Sequence, residues 1–472
     1  MTKKWRSLVG KKVRLIGFVA AFCAVVANAR EPNYDAEKGA PFEMPPIPVV
    51  KFPNRDFSIS DFGAEEGVKA TAAFTAAMAA CERGGGGRVV VPKGKWLTGA
   101  VHFRNNCNLH IVEGATLEFT DNPADYPEVF TTWEGIECYN HSPLIYALGC
   151  TNVAITGGGT VAPRMELWRT WFNQTSEHRK ATELMYYWCS TNAPIEARRL
   201  LALDRAHMRP QLIQFNRCSN VLLDGFRIRE SPFWMIHLYH TENCIIRNLD
   251  TYAHGQNTDG VDIESTRNVI VENCHFDQGD DGIVLKAGRN ADGWRVGRST
   301  ENVMVRDCDL INSHALLGIG SELSGGIRNV WMTRCKAGEI TTMLRIKTGP
   351  RRGGFVENVR MDNCRGDKMV RAFQIFTKYS AQWGAFPDFE LRRTRIRDIE
   401  IANCEVNECE YGVLLEGDKL LPPKGIRVHN LSIGKATRAL SEIRDCIDVS
   451  IDGLKLGGAS GLNPNVAPAK PQ

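Results

Sequence analysis

No stretch of this sequence stays apolar for the ~20 residues that a membrane-crossing helix needs. The run that comes nearest, Leu15–Val26, is too short. It follows a basic region of Lys3, Lys4, Arg6, Lys11, Lys12 and Arg14 and ends in Ala27-Asn28-Ala29. That order reads as a secretory signal peptide cleaved after Ala29, leaving no membrane anchor and a secreted or periplasmic destination. Cys23 follows Phe22, where a lipid-attachment site would want a small residue. An excess of one charge sign is also missing. The formal net charge of +4 includes six basic residues of the leader and no acidic ones, so the remainder carries −2. Nothing global draws nucleic acid or acidic lipid, and any polyanion must find a local basic patch. The glycines Gly84–Gly87 lack the Gly-Lys-Ser/Thr of a phosphate loop and read as a turn. With 43% hydrophobic and 24% charged residues, the chain is neither disordered, collagenous nor a coiled coil.

What is present is a repeat. Asn followed by alternating aliphatics recurs at Asn220, Asn243, Asn268, Asn302, Asn329 and Asn358, and in weaker form at Asp398. Each unit, such as Asn268-Val269-Ile270-Val271-Glu272-Asn273-Cys274, predicts a short strand with one face buried. Units of this length with one strand-rich segment per turn mean a solenoid. The leucine positions of leucine-rich repeats and the longer period of propeller blades are absent. The pattern therefore predicts an all-β fold, a right-handed parallel β-helix. The sixth residue after the Asn is Cys274, Cys308, Cys335, Cys364 and Cys404 in five units. Free Cys is among the most buried residue types, so this column predicts small side chains stacked inside the helix. A disulfide, if any, is expected not within the column but at Cys81–Cys107 or from its last member to a cysteine beside it, Cys404–Cys409.

Residues 57–118 read as a cap, with an Ala-rich helix at Ala70–Arg83 covering the end of the core, as solenoids require. The β-helix is expected to span 57–456, between an N-terminal tail (30–56) and a C-terminal tail (457–472). Residues 120–215 interrupt the rhythm with Trp133, Tyr139, Trp168, Trp171, Tyr186, Tyr187 and Trp188. Such a segment is expected to project near one end of a cleft, where its rings would either stack on a sugar or pack against the cap.

Counted from each unit's Asn, Asp259, Asp280, Asp281, His314, Arg345 and Lys347 fall in one part of four consecutive turns. Stacked strands lie about 4.8 Å apart, so these groups should line one strip. Clustered carboxylates push their pKa values apart, which suits an acid and a base acting on a glycosidic bond. Two other readings stay open. Asp259, Asp262, Glu264, Asp280 and Asp281 could ligate calcium, or these residues merely cap turns. Arg345 and Lys347 flank Ile346 in a strand and suit a carboxylate on a substrate.

Asn257-Thr258-Asp259-Gly260, Gly279-Asp280-Asp281, Ser313-His314 and Arg345-Ile346-Lys347 together resemble the polygalacturonases, glycoside hydrolase family 28, over about residues 57–455. The resemblance implies a pectin-lyase-like β-helix, inversion at the anomeric centre, and no metal or other cofactor. It implies Asp280 as general acid, Asp259 and Asp281 activating water, and His314 supporting the acid. It implies Arg345, Lys347, Asn257 and Tyr379 at the sugar. The implied partner is a pectic polysaccharide or oligogalacturonide, bound by a monomer. One departure is that Ser313 and Ala315 flank the histidine where the family usually has glycines, which touches the sugar fit. Trp133-Glu134-Gly135 and Arg209-Pro210 resemble exo-acting bacterial and plant members. The alternatives are a rhamnogalacturonan hydrolase of the same family, a calcium-dependent pectate lyase, or a non-catalytic carbohydrate-binding β-helix.

Overall fold

A computed structural model describes residues 40–203, 205–379 and 390–456. The leader with its cleavage site and the tail 457–472 lie outside the described residues. The chain winds into a parallel β-helix. One wall is a 13-strand sheet that begins at Asp56–Ser58 and ends at Ile447–Asp452, each strand parallel to the next. The remaining strands of the helix form the facing walls. No described helix is long and apolar enough to cross a membrane.

The alternation after each Asn sets the register. Val221, Cys244, Val269, Val303, Val330, Val359, Ile399 and Ile426 pair in sequence along the sheet, and all are buried. A slip of one residue would turn this whole column outward, so burial fixes the pairing. The Asn itself turns the chain into the strand. From Asn106 to Asn358, eight of them adopt a left-handed conformation with φ between 52° and 59°, which Asn tolerates better than other side chains. Each after Asn106 donates its Nδ2 to the Oδ1 of the Asn one coil earlier, at 2.8–3.1 Å.

This ladder starts two coils before the sequence periodicity, at Asn106 and Asn152. The interrupted segment 120–215 therefore contains a regular coil, with strands at Ile145–Leu148, Thr151–Thr156 and Thr160–Pro163 paired into the walls. Long excursions on either side of that coil hide its period.

The cysteine column is buried and unbridged, its thiols hydrogen-bonded from coil to coil. The expected disulfides are not formed: Cys81, Cys107, Cys404 and Cys409 are all free thiols. Cys107 instead donates its thiol to the carbonyl of Asn105 at 3.4 Å. Cys404 stacks on Cys364, while Cys409 pairs across to Met369. The cap is as expected. The helix Thr71–Arg83 buries Ala73, Phe74, Ala77, Met78 and Cys81 on one face, then stops at the glycine turn. A Cβ on Gly86 would stand 2.7 Å from the carbonyl oxygen of Asn106.

The aromatic excursion builds its own small core. A hairpin of Glu128–Trp133 and Ile136–His141 packs with the helix Ser176–Ser190 around Trp133, Ile136, Met185, Tyr186, Phe233 and Trp234. Trp168 and Trp171 sink into the main core instead. Of the seven rings expected to meet either a sugar or the cap, Tyr186 alone lines the cavity described below.

Candidate active site

In the C-terminal coils the second wall runs as unbroken strands such as Lys336–Lys347. Three and two coils earlier it is broken into pairs, Asp250–Ala253 with Val261–Glu264 and His275–Gln278 with Ile283–Lys286. The breaks carry Asn257, Asp259, Asp280 and Asp281. Thr258 shapes the first by donating its hydroxyl to the carbonyls of Ala253 (3.1 Å) and Gly255 (3.0 Å). The second passes so close that a Cβ on Gly279 would lie 2.5 Å from the Gly255 nitrogen. Only a glycine lets these two acid-bearing loops stack.

All eight residues singled out from the sequence, Asn257, Asp259, Asp280, Asp281, His314, Arg345, Lys347 and Tyr379, line one cavity of about 530 Å³. Asp280 Oδ1 lies 2.9 Å from His314 Nδ1, and its Oδ2 accepts from the Asn257 backbone N–H at 3.3 Å. Arg345 donates Nη2 to both oxygens of Asp281, at 2.8 and 3.1 Å, with Lys347 Nζ 3.5 Å away. Gly318 lies between Val284 and Arg345 in the pairing register. A Cβ there would come within 3.2 Å of Asp281 Oδ2. Tyr379 lies beside Lys347, its ring centre 5.7 Å from the ammonium. The side chain of Asn257 is committed to the protein: its Oδ1 accepts from Arg209 at 2.9 Å.

The three aspartates differ in charge state. Burial, with Asp262 and Asp280 close by, raises the Asp259 carboxyl well above the usual range. Burial also works on Asp281, but the adjacent Arg345 and Lys347 outweigh it and hold it far below. For Asp280 burial is again opposed, here by the His314 hydrogen bond, and the net shift is downward. His314 moves up, chiefly through the same bond. The His314–Asp280 hydrogen bond thus favours a proton on the histidine, while Asp281 is driven toward the ionised form and Asp259 toward the neutral one. Titratable groups pushed apart in this way are the raw material of acid–base chemistry.

Several lining residues were not singled out. Lys286 is buried with its ammonium 3.7 Å from Asp259, 3.3 Å from Asp262 and 3.5 Å from Glu322, over the ring of Trp234 at 4.4 Å. Burial disfavours its charge, yet the surrounding carboxylates raise its pKa. Arg289 binds Glu322 at 2.5 Å and Glu134 at 3.0 Å. A lysine ending the apolar strand Ile283-Val284-Leu285 was the available signal for Lys286. Nothing local marked Arg289, whose partner Glu134 lies 155 residues away.

The calcium reading fails on the donor set. Glu264 is spent on His237 (2.9 Å) and the Gly288 N–H (3.1 Å). Lys286 already stands where a cation would bridge Asp259 and Asp262. Asp280, Asp281 and His314 bring donor atoms within 4.8 Å of one another, but Asp281 already faces two cations.

Against known proteins, the family model described as Glycosyl hydrolases family 28 matches residues 81–451. A probable polygalacturonase from Vitis vinifera is 25% identical over 466 residues, covering 94% of this chain and 87% of that protein. The crystal structure of a hyperthermoactive exopolygalacturonase from Thermotoga maritima is similar with a TM-score of 0.79 and 33% identity, covering 88% of this chain and 94% of that one. A family 28 exopolygalacturonase from Yersinia enterocolitica shares the fold at a TM-score of 0.71 and 21% identity, over 86% of this chain and 76% of that one.

Proposed function

The chain belongs to glycosyl hydrolase family 28, and from that premise we propose that it is an exported exo-polygalacturonase, hydrolysing α-1,4-galacturonic acid linkages with inversion. The observation that carries this reading is a single cavity that brings Asp259, Asp280 and Asp281 together, the last bonded to Arg345 beside Lys347, with the excursion's Glu134 and Tyr186 in its wall.

Asp281, held ionised by Arg345 and Lys347, takes the proton of the attacking water, and Asp259 hydrogen-bonds and positions that water. Asp280 protonates the leaving oxygen. In the empty site its proton rests on His314. A galacturonate carboxylate bound to Arg345 and Lys347 offsets the positive field there, and burial then lifts Asp280 toward the protonated state. Such a carboxylate also makes the cavity selective for acidic sugars. Glu134 and Tyr186 stand in the cavity wall at the excursion, and a wall there supports chain-end cleavage over cutting within the polymer. The basic leader and its small-residue end at Ala29 support export.

Polygalacturonate tests each part. Reducing ends should rise while viscosity falls slowly, galacturonate monomer should dominate early, and the first anomer seen by NMR should be β. Rapid viscosity loss with mixed oligomers would mean an endo enzyme. Ultraviolet-absorbing products would mean elimination instead of hydrolysis.

A further inference from the structure

The cavity end formed by the aromatic excursion contains an acid that the hydrolytic step does not use. Glu134 and Gly135 are the two central residues of the turn in the hairpin Glu128–His141, both at positive φ, 43° and 84°. A type I′ turn demands that geometry, and Glu is an unusual choice for its first position. The tip is fixed from three sides. Arg289 donates its backbone N–H to the Gly135 carbonyl and its Nε to the Glu134 carbonyl, each at 2.9 Å. A Cβ on Gly135 would meet the Arg289 nitrogen at 2.9 Å. Beneath it, Trp133 stacks on Phe233 with ring centres 5.6 Å apart and planes 13° apart. The carboxylate lines the cavity with its side chain 14% exposed. Arg289 (3.0 Å) and the Tyr186 hydroxyl (3.5 Å) both reach Oε2, so among the described contacts Oε1 remains for a ligand.

The charges at this end suit hydroxyls better than a uronate group. Its two lining cations are each shared by at least two carboxylates: Lys286 by Asp259, Asp262 and Glu322, Arg289 by Glu134 and Glu322. An incoming carboxylate would find no uncommitted cation there, whereas a hydroxyl can donate to Glu134. Resting on the exo reading above, we propose that Glu134 is a specificity-determining residue that accepts a hydrogen bond from the free C4 hydroxyl of the non-reducing terminal galacturonate. Only a chain end carries that hydroxyl, because every interior unit is substituted there. The hairpin thereby reads the end of the polymer by a hydrogen bond as well as by blocking its path. Burial raises the Glu134 carboxyl, so the interaction should weaken as pH falls and Glu134 takes up a proton.

The test compares trigalacturonate with its analogue bearing a 4-deoxy non-reducing terminus, using wild type, Glu134→Gln and Glu134→Ala. Wild type should prefer the natural trimer by about 10²-fold in kcat/KM, since a charged acceptor left unpaired is costly. Glu134→Ala should lose most of that factor on the natural trimer, change little on the analogue, and bring the ratio near one, with Glu134→Gln in between. Equal losses on both substrates would overturn the inference and make Glu134 a support for Arg289 and the hairpin. So would a wild type indifferent to the 4-deoxy change. Glu134→Gln keeps the side-chain volume and guards against a misfolded Ala variant. Failure of wild type to hydrolyse any galacturonide would remove the exo-polygalacturonase reading itself, a result distinct from an unchanged ratio in an active enzyme.

Discussion

The 13-strand wall and the cavity corner solve the burial of polar groups in opposite ways. In the wall, each Asn satisfies its amide with the same residue one coil away, and the interaction repeats from Asn106 to Asn358. In the corner, charged groups meet unlike partners drawn from distant parts of the chain, with no repeat from coil to coil: Arg289 with Glu134, Arg345 with Asp281. Repetition makes the wall redundant, whereas the corner depends on single residues. A lost wall residue should cost stability and leave chemistry alone. A lost corner residue should do the reverse or damage both.

The sharpest break of that symmetry should come from Asp280→Asn, which lowers kcat by about 10²–10⁴-fold if the carboxyl is the acid, with little change in KM or Tm. Near-wild-type turnover would remove Asp280 from the acid role. Next, Arg345→Ala should reduce kcat/KM on polygalacturonate by about 10²-fold, as expected when hydrogen bonds to a charged group are lost. A neutral substrate analogue, which loses only the support that Arg345 gives Asp281, should be affected less, and equal losses on both would confine the arginine to that support.

On the wall side, Asn268→Ala removes two ladder bonds, to Asn243 (3.0 Å) and from Asn302 (2.9 Å). It also leaves a less tolerant residue at φ 58°. Together these should cost about 2–3 kcal/mol, read as a lowered denaturation midpoint with kcat unchanged. A comparable loss of activity would show that wall and corner are coupled.

His314 links charge state to pH. Its pKa is raised by Asp280, so its contribution is complete below the ordinary value of about 6.5 and is lost as pH rises through the raised value. Asp280 is lowered, so its contribution is complete above about 3.9 and is lost as pH falls through the lowered value. The pair is therefore intact across the weakly acidic range. His314→Gln should pull the alkaline limb of the kcat/KM profile toward lower pH and cut kcat by about tenfold. An unmoved limb would detach the histidine from the acid. The smallest effect is expected from dithiothreitol, which should leave Tm unchanged because the described cysteines are already free thiols.

The same contrast explains what could be read from the sequence. Alternation after each Asn is a local signal, so the β-helix, its cap and the buried cysteine column were legible. The four motifs fell in one part of the repeat, which was enough to bring Asp259, Asp280, Asp281, His314, Arg345 and Lys347 into one cavity. Asn152 was overlooked because excursions on both sides hide its spacing, though the ladder bond to Asn106 places it in register. Lys286, Arg289 and Glu322 act through mutual contacts that no periodicity encodes. The rings of the excursion announced a specialised segment, but Trp133 holds that segment together and Trp168 and Trp171 anchor it in the main core.

The aromatic segment leaves the solenoid twice, between Phe119 and Ile145 and between Pro163 and Ile213, yet the strands around both departures pair as though nothing intervened: Ile145 faces Val101 and Ile213, and Thr160 faces Thr116 and Arg227. Loops that depart and re-enter between neighbouring coils can be exchanged at their outer ends without disturbing the stacking, provided core anchors such as Trp168 and Trp171 stay. The wall that Glu134 and Tyr186 give the cavity is therefore evolutionarily cheap to alter. A lineage could reshape that end by editing such accessories while the frame that carries the aspartates is inherited intact.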